Sequence, residues 1–203
     1  VVSFATSAPE LIVSVQSALE GATGLAIGSV IGSNIANIAL VLGLTVLLST
    51  IEVEKSFYKI DWPVMMVASL LFYAFIVFDK TIQQYEGIIM VSFLIIFLIY
   101  LLKFQKNKEV DELLDNDEEI PLYKIILFLV IGGLGLWGGS ELLVDGATTL
   151  AKGLGVSDAI IGVTIVSIGT SVPELAASII AVLKKEKAIS LGNLIGSNIF
   201  NIL

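Results

Sequence analysis

Hydrophobic positions dominate this chain in long uninterrupted blocks, and the polar positions between them come in short clusters. Read for periodicity and block length, the pattern predicts seven helical segments, over roughly 1–19, 25–49, 60–78, 84–103, 121–151, 157–183 and 188–203. Blocks such as Val64–Phe78 and Gly87–Leu102 carry no charge at all, which is the signature of membrane spans. In lipid every backbone polar group must be satisfied internally, so open-ended segments of this kind are helices. The third and fourth segments lack polar interruptions and are expected to face lipid. The fifth exceeds the roughly 20 residues that a bilayer requires and should tilt or protrude. The first segment opens at Val1 and the last stops at Leu203 inside apolar runs, so the chain reads as an internal fragment of a larger membrane protein.

The same pattern contains a repeat. Val1–Ala39 (VVSFATSAPELIVSVQSALEGATGLAIGSVIGSNIANIA) aligns without a gap to Ile165–Leu203 (IVSIGTSVPELAASIIAVLKKEKAISLGNLIGSNIFNIL). TS-x-PEL recurs at Thr6–Leu11 and Thr170–Leu175, and IGSNI-x-NI at Ile31–Ile38 and Ile195–Ile202. The two copies start in the first and sixth segments. An odd shift of spans sets them in opposite directions across the membrane, an inverted repeat with its site near the midplane. The predicted architecture is an all-α inverted-repeat helical bundle. Residues 1–103 form the first repeat, 104–120 an acidic linker and 121–203 the second repeat.

Composition narrows the chemistry. The 203 residues are 56% hydrophobic and 15% charged, and mean hydropathy is +0.97. There is no His, Cys or Arg, which removes imidazole and thiolate ligands, thiol nucleophiles, Ser-His-Asp triads and guanidinium forks for phosphate. The net charge of −8 argues against nucleic acid. Most of that excess lies in Glu109, Asp111, Glu112, Asp115, Asp117, Glu118 and Glu119, a run without EF-hand spacing that reads as a solvated linker. Lys55, Lys59, Lys103, Lys106, Lys108, Lys124, Lys184, Lys185 and Lys187 border the second, fourth and sixth connections, against Lys80 and Lys152 for the others. The positive-inside rule makes the lysine-rich side, and with it the linker, cytoplasmic. The expected location is the plasma membrane.

Glu10 and Glu174 are carboxylates inside apolar spans, each unfavourable by about a few kcal/mol unless satisfied. Each follows a proline, Pro9 or Pro173, which should kink its helix and free carbonyls near Ala5 and Gly169. Thr6, Ser7, Thr170 and Ser171 add hydroxyls on the same turn. Ser29, Ser33 and Asn37 are spaced by four and line one face of a second helix, and Asn193, Ser197 and Asn201 repeat this in the other copy. Gly24, Gly28 and Gly32 form a small-residue row that would let helices approach closely. Carboxylate, hydroxyl, amide and carbonyl oxygens suit a hard cation, Na+, Ca2+ or Mg2+. Two ionised glutamates balance one Ca2+ or two to three Na+, so competition for shared ligands gives a physical basis for exchange. No cofactor is implied. Glu141 and Asp145, four apart near the end of the fifth segment, read as a solvated helix end.

The paired TS-x-PE and GSN-x-x-N motifs resemble the alpha repeats of the cation/calcium antiporter superfamily, the sodium/calcium exchangers and their prokaryotic relatives. The resemblance covers nearly the whole chain and implies seven spans of a ten-helix fold. It implies ion ligation by Thr6, Ser7, Glu10, Ser33 and Asn37, and by Thr170, Ser171, Glu174, Ser197 and Asn201. It adds the backbone carbonyls of Ser3 and Ser167, and it implies alternating access in which long tilted helices slide across the core. Asn37 and Asn201 are both amides where some relatives carry Asp, which counts against K+ cotransport and proton sensitivity. The function expected is secondary antiport of Ca2+ against Na+ by a monomer in the bilayer. A Ca2+/H+ or other cation/proton exchanger is the rival within transport. An intramembrane enzyme using the two glutamates as an acid/base pair is the rival from another class; no nucleophile–base arrangement supports it.

Overall fold

The computed structural model describes residues 2–21, 23–53, 55–79, 81–104, 121–156 and 158–203. The acidic run of the linker, with Lys106 and Lys108, lies outside the described residues, as does Lys80. The described chain is helical throughout: α1 Val2–Thr6, α2 Ala8–Leu19, α3 Thr23–Ala36, α4 Gly43–Leu48, α5 Trp62–Asp79, α6 Gln84–Phe104, α7 Leu122–Gly153, α8 Asp158–Ile161, α9 Ser167–Thr170, α10 Val172–Leu183 and α11 Lys187–Ile202. Wider π-helical turns at Asn37–Leu42 and Gly162–Val166 join α3 to α4 and α8 to α9, and a third, Phe57–Asp61, leads into α5. End to end these make seven rods, at the places where the hydrophobic blocks predict them.

Among the described residues four stretches are long and apolar enough by themselves to cross a membrane: Ala26–Leu48, Phe57–Val77, Gln84–Lys103 and Thr164–Leu183. α5 and α6 turn large apolar side chains outward, among them Leu70, Tyr73, Val77, Ile88, Ile96 and Leu102. So broad an apolar surface is tolerated in lipid and not in water, so the protein is an integral membrane protein. α7, at 32 residues, is about 48 Å long at 1.5 Å per residue, against a hydrocarbon core of about 30 Å. It runs against α1, α2, α9 and α10.

The arrangement of α11 follows from its two faces. Leu191, Ile195 and Ile199 lie four apart and are buried with Phe97 of α6 against Ile60, Val64 and Met65. Ile202 continues the stripe onto Ala68 and Met90. Ser197 and Asn201 lie on the far side from that stripe, with Asn198 at its edge. In a bilayer the apolar stripe gains little by leaving lipid, so packing shape and the satisfaction of the polar face decide how the helix is turned. That face meets α3.

The contacts across the molecule are reciprocal. α2 packs on α3 and α10 on α11; α1 packs on α11 and α9 on α3; α3 and α11 meet each other. Each of these pairs maps onto its counterpart when 164 is added to or subtracted from the residue numbers, the separation that Asn34 and Asn198 show. Each copy of the motif therefore packs against the other copy.

The prolines sit beside a one-residue break. The helix is interrupted at Ser7 (φ −88°, ψ 7°) and at Ser171 (φ −84°, ψ 0°), and a new helix begins with the proline in its first turn, while Ser7 N bonds Ser3 O and Leu11 N bonds Ser7 O across the break. A proline is tolerated in the first turn, where its missing N–H would have no partner, so a break relieves the clash more completely than a bend does. The break gives Glu10 and Glu174 each a place in the first turn of a 12-residue helix. The helix dipole favours a negative charge there by about 0.3–1 kcal/mol, and up to about 2 kcal/mol where partly buried.

A candidate cation site between the two repeats

Glu10 and Glu174 are 1% and 0% exposed, deep between α2, α10 and the paired α3 and α11. Each carboxylate is served by the other repeat. Ser7 Oγ donates to Glu174 Oε1 at 2.8 Å, and Thr6 and Ser197 also neighbour that carboxylate. Thr170 and Ser171 neighbour Glu10 in the same crossed manner. Ser33 Oγ and Thr170 Oγ1 are 3.2 Å apart. The two TS-x-PE turns thus exchange partners across the centre of the molecule.

Most of the oxygen there is left without a donor. Glu10 Oε1 and Oε2, Glu174 Oε2, Ser171 Oγ, Ser197 Oγ, Asn37 Oδ1 and Asn201 Oδ1 are all buried and make no hydrogen bond. Buried polar atoms are nearly always paired, and an unpaired carboxylate in the membrane is unfavourable by several kcal/mol. A concentration of unmatched oxygen lone pairs is a cation's environment. All the atoms are oxygens, which selects hard ions. Among the described residues no three Asp or Glu side chains gather, so two carboxylates supply the charge and neutral oxygens the rest.

Of the twelve residues singled out from the sequence, Glu10, Glu174, Thr6, Ser7, Thr170, Ser171, Ser33, Asn37, Ser197 and Ser167 are all buried here. Ser3 and Asn201 are half-buried. Asn201 shares a cavity of about 50 Å³ with Glu10, Leu11, Ser14, Val30 and Phe200. The carbonyls of Ser3 and Ser167 are already engaged. Ser3 O accepts from Ser7 N (3.0 Å) and from Thr6 Oγ1 (3.3 Å). Ser167 O accepts from Ser171 N and Thr170 Oγ1, both at 3.3 Å. In this conformation they hold the threonine hydroxyls in place.

Two features go beyond the reading of the sequence. Asn34 and Asn198, the last letters of the two GSN motifs, hold the amides of Asn201 and Asn37: Asn37 Nδ2 donates to Asn198 Oδ1 at 3.0 Å and Asn201 Nδ2 to Asn34 Oδ1 at 3.4 Å. Asn193, on the face the sequence marks out with Ser197 and Asn201, has its Oδ1 3.4 Å from Thr6 Oγ1. Ser14 and Ser178, one turn beyond the glutamates, bury hydroxyls without partners; their i+4 spacing from Glu10 and Glu174 is a signal the sequence does carry. In the expected glycine row a Cβ on Gly24 would meet nothing within 4 Å; a Cβ on Gly196 would lie 2.5 Å from Ser3 Oγ, a tight approach between α1 and α11. Elsewhere, Glu86 is buried but accepts from Gln83 N at 2.7 Å, which makes it a cap for α6. Glu141 and Asp145 are exposed.

Comparison with known proteins agrees with this geometry. The family model for the sodium/calcium exchanger protein matches residues 1–103 and 124–203. CaxA of Alkalimonas amylolytica, a candidate antiporter by its name, is 41% identical over 100% of this chain and 65% of its own length. The sodium/calcium exchanger MaX1 of Methanosarcina acetivorans is 31% identical over 99% of this chain and 68% of its own. The structure of the sodium/calcium exchanger from Methanococcus jannaschii matches with a TM-score of 0.78 at 34% identity, over 98% of this chain and 63% of that one. The chain spans about 65% of the length of the first curated relatives it matches. The crossed TS-x-PE turns, the GSN-bearing helices and the family match together establish that this chain belongs to the sodium/calcium exchanger family.

Proposed function

We propose that this chain carries the ion site of a secondary antiporter that exports Ca2+ against Na+ entry by alternating access. One observation carries the reading: two buried carboxylates from opposite repeats lie with Ser171, Ser197, Asn37 and Asn201, and seven of the oxygens on these six residues make no hydrogen bond. Glu10 and Glu174 are the central ligands. Thr6, Ser7, Ser33 and Asn37, with Thr170, Ser171, Ser197 and Asn201, complete the shell. The carbonyls of Ser3 and Ser167 join when the threonine hydroxyls that now engage them turn away. Relatives named as sodium/calcium exchangers support the choice of ions.

Two negative charges accept one Ca2+ or two to three Na+, and the same oxygens serve both loads. Coupling follows from electrostatics. Bare carboxylates in a dry site are costly, so an unloaded carrier resists the passage between its two faces. In this reading residues 1–103 and 121–203 act as opposed halves and 104–120 is a cytoplasmic linker. The lysine-rich connections face the cytoplasm, the plasma membrane is the site of action, and the monomer is the working unit.

The test is flux. Proteoliposomes holding the intact protein and loaded with Na+ should take up Ca2+ on dilution into Na+-free medium, and collapse of the Na+ gradient should stop uptake. Uptake that ignores the Na+ gradient and follows a pH gradient would replace this reading with cation/proton exchange. A protein that moves no cation under any gradient would overturn transport altogether.

A further inference from the structure

An amide is two-faced: its oxygen attracts a cation and its NH2 repels one. Asn37 and Asn201 therefore serve a cation site in only one of their two orientations. The structure carries a device that selects it. Asn37 Nδ2 donates to Asn198 Oδ1 (3.0 Å) and Asn201 Nδ2 to Asn34 Oδ1 (3.4 Å), which leaves Asn37 Oδ1 and Asn201 Oδ1 buried without a donor. The two bonds are counterparts at the repeat offset, and each runs from one repeat to the other. Asn34 is pinned in turn, because its own Nδ2 donates to the backbone carbonyl of Asn198 at 3.3 Å. A flip of Asn201 would set its oxygen against Asn34 Oδ1, and Asn34 cannot answer with its NH2 without giving up that backbone bond.

We infer that Asn34 and Asn198 are positioning residues that lock the amide polarity of Asn201 and Asn37, so that each presents oxygen and not NH2 to the transported cation. The lock rests on the exchanger reading above. It places a specificity element at the crossing of α3 and α11, one side chain removed from the ion. Partners that orient a metal's ligands typically contribute about 10–100-fold in affinity, and the same scale applies to an amide that would otherwise turn its positive end inward. A carboxylate needs no such lock, because it presents an oxygen whichever way it turns.

That contrast supplies the experiment. In proteoliposomes of the intact protein, Asn198→Leu and Asn34→Leu, which keep the volume and remove the acceptor, should each raise the half-saturating Ca2+ concentration about 10–100-fold. The maximal rate should change far less. In an Asn37→Asp background, adding Asn198→Leu should shift half-saturation by less than about threefold; in an Asn201→Asp background the same holds for Asn34→Leu. A merely structural asparagine would give an equal loss in both backgrounds, and that result overturns the lock. So does a half-saturation unchanged by either Leu substitution while the parent transports Ca2+. The two cycles probe opposite repeats, and Asn198→Ala or Asn34→Ala replaces a Leu variant that does not fold. If the parent protein moves no Ca2+, the exchanger reading fails and the lock with it.

Discussion

At Glu174, one carboxylate oxygen accepts the Ser7 hydroxyl, while neither oxygen of Glu10 has a donor and Ser171 Oγ is unpaired. The two TS-x-PE turns match in sequence and differ in hydrogen bonding, and that difference separates two experiments. In Ca2+-free detergent, Ser7→Ala should lower unfolding stability by about 1.5–3 kcal/mol, the scale of a bond to a charged group. Ser171→Ala should change it by less than about 0.5 kcal/mol, because no bond is lost; thermal unfolding of both variants side by side is the check. With Ca2+ present both should bind more weakly, since each removes a candidate ligand. Glu10→Gln and Glu174→Gln remove the charge that balances the ion and leave the volume, so flux should vanish while the folded protein persists on size exclusion. Near-normal flux in either would refute the site. The proposed ligand set is the one the sequence points to, because carboxylate, hydroxyl and amide recur in register in both copies. The bonds to Asn34 and Asn198 were not legible there. An asparagine inside a helix looks the same whether it packs or holds a neighbour, and the neighbour here lies more than 160 positions away.

Among the elements, the rods were legible and their internal breaks were not. Block length predicts seven rods, but whether a proline bends a helix or restarts it depends on what the freed turn can bond to. Here the serine hydroxyls, the carboxylates and the opposing repeat supply that environment. Connections show a second asymmetry. Gly21 follows α2 at φ 77°, and its counterpart Lys185 follows α10 at φ 66°. The left-handed conformation is unfavourable by about 1–2 kcal/mol for a residue with a Cβ, so Lys185→Gly should raise stability by about 1 kcal/mol. Gly21→Ala should lower it by a similar amount, both read from thermal melts. Within α11 two glycines should behave oppositely. A Cβ on Gly192 meets nothing within 4 Å, so Gly192→Ala should stabilise by up to about 1 kcal/mol through helix propensity. A Cβ on Gly196 would lie 2.5 Å from Ser3 Oγ and 3.1 Å from Ser3 Cβ. The hydroxyl can rotate away, but the Cβ moves only with α1. Gly196→Ala should therefore destabilise by about 1–3 kcal/mol and raise half-saturating Ca2+, because α1 carries Thr6 and leads into Ser7 and Glu10.

Over the whole molecule, the reciprocal contacts place each repeat's polar motif inside the other, so neither half completes the site alone. The net charge of −8 says little about that site, since the proposed functional charge is two glutamates and the acidic run lies in the linker. Orientation is where charge does matter. If the copies are inverted, equivalent connections must lie on opposite sides of the bilayer, although their sequences and local geometry correspond. Glu20 and Lys184 are such a pair, both exposed and both directly after the glutamate-bearing helix of their repeat. The chain contains no cysteine, so Glu20→Cys and Lys184→Cys each give a single reporter within it. In intact cells an impermeant thiol reagent should label Glu20→Cys and spare Lys184→Cys; in inside-out vesicles the pattern should reverse. By the positive-inside rule the lysines at 184, 185 and 187 predict the cytoplasmic side for the connection after α10. Labelling of both positions from one side would break the inverted repeat, since only an even number of spans between the copies allows it. A reversed pattern would keep the repeat and overturn the orientation. The first outcome bears on how the site is built and the second on which way Ca2+ leaves, so one pair of substitutions tests the architecture and the direction of transport separately.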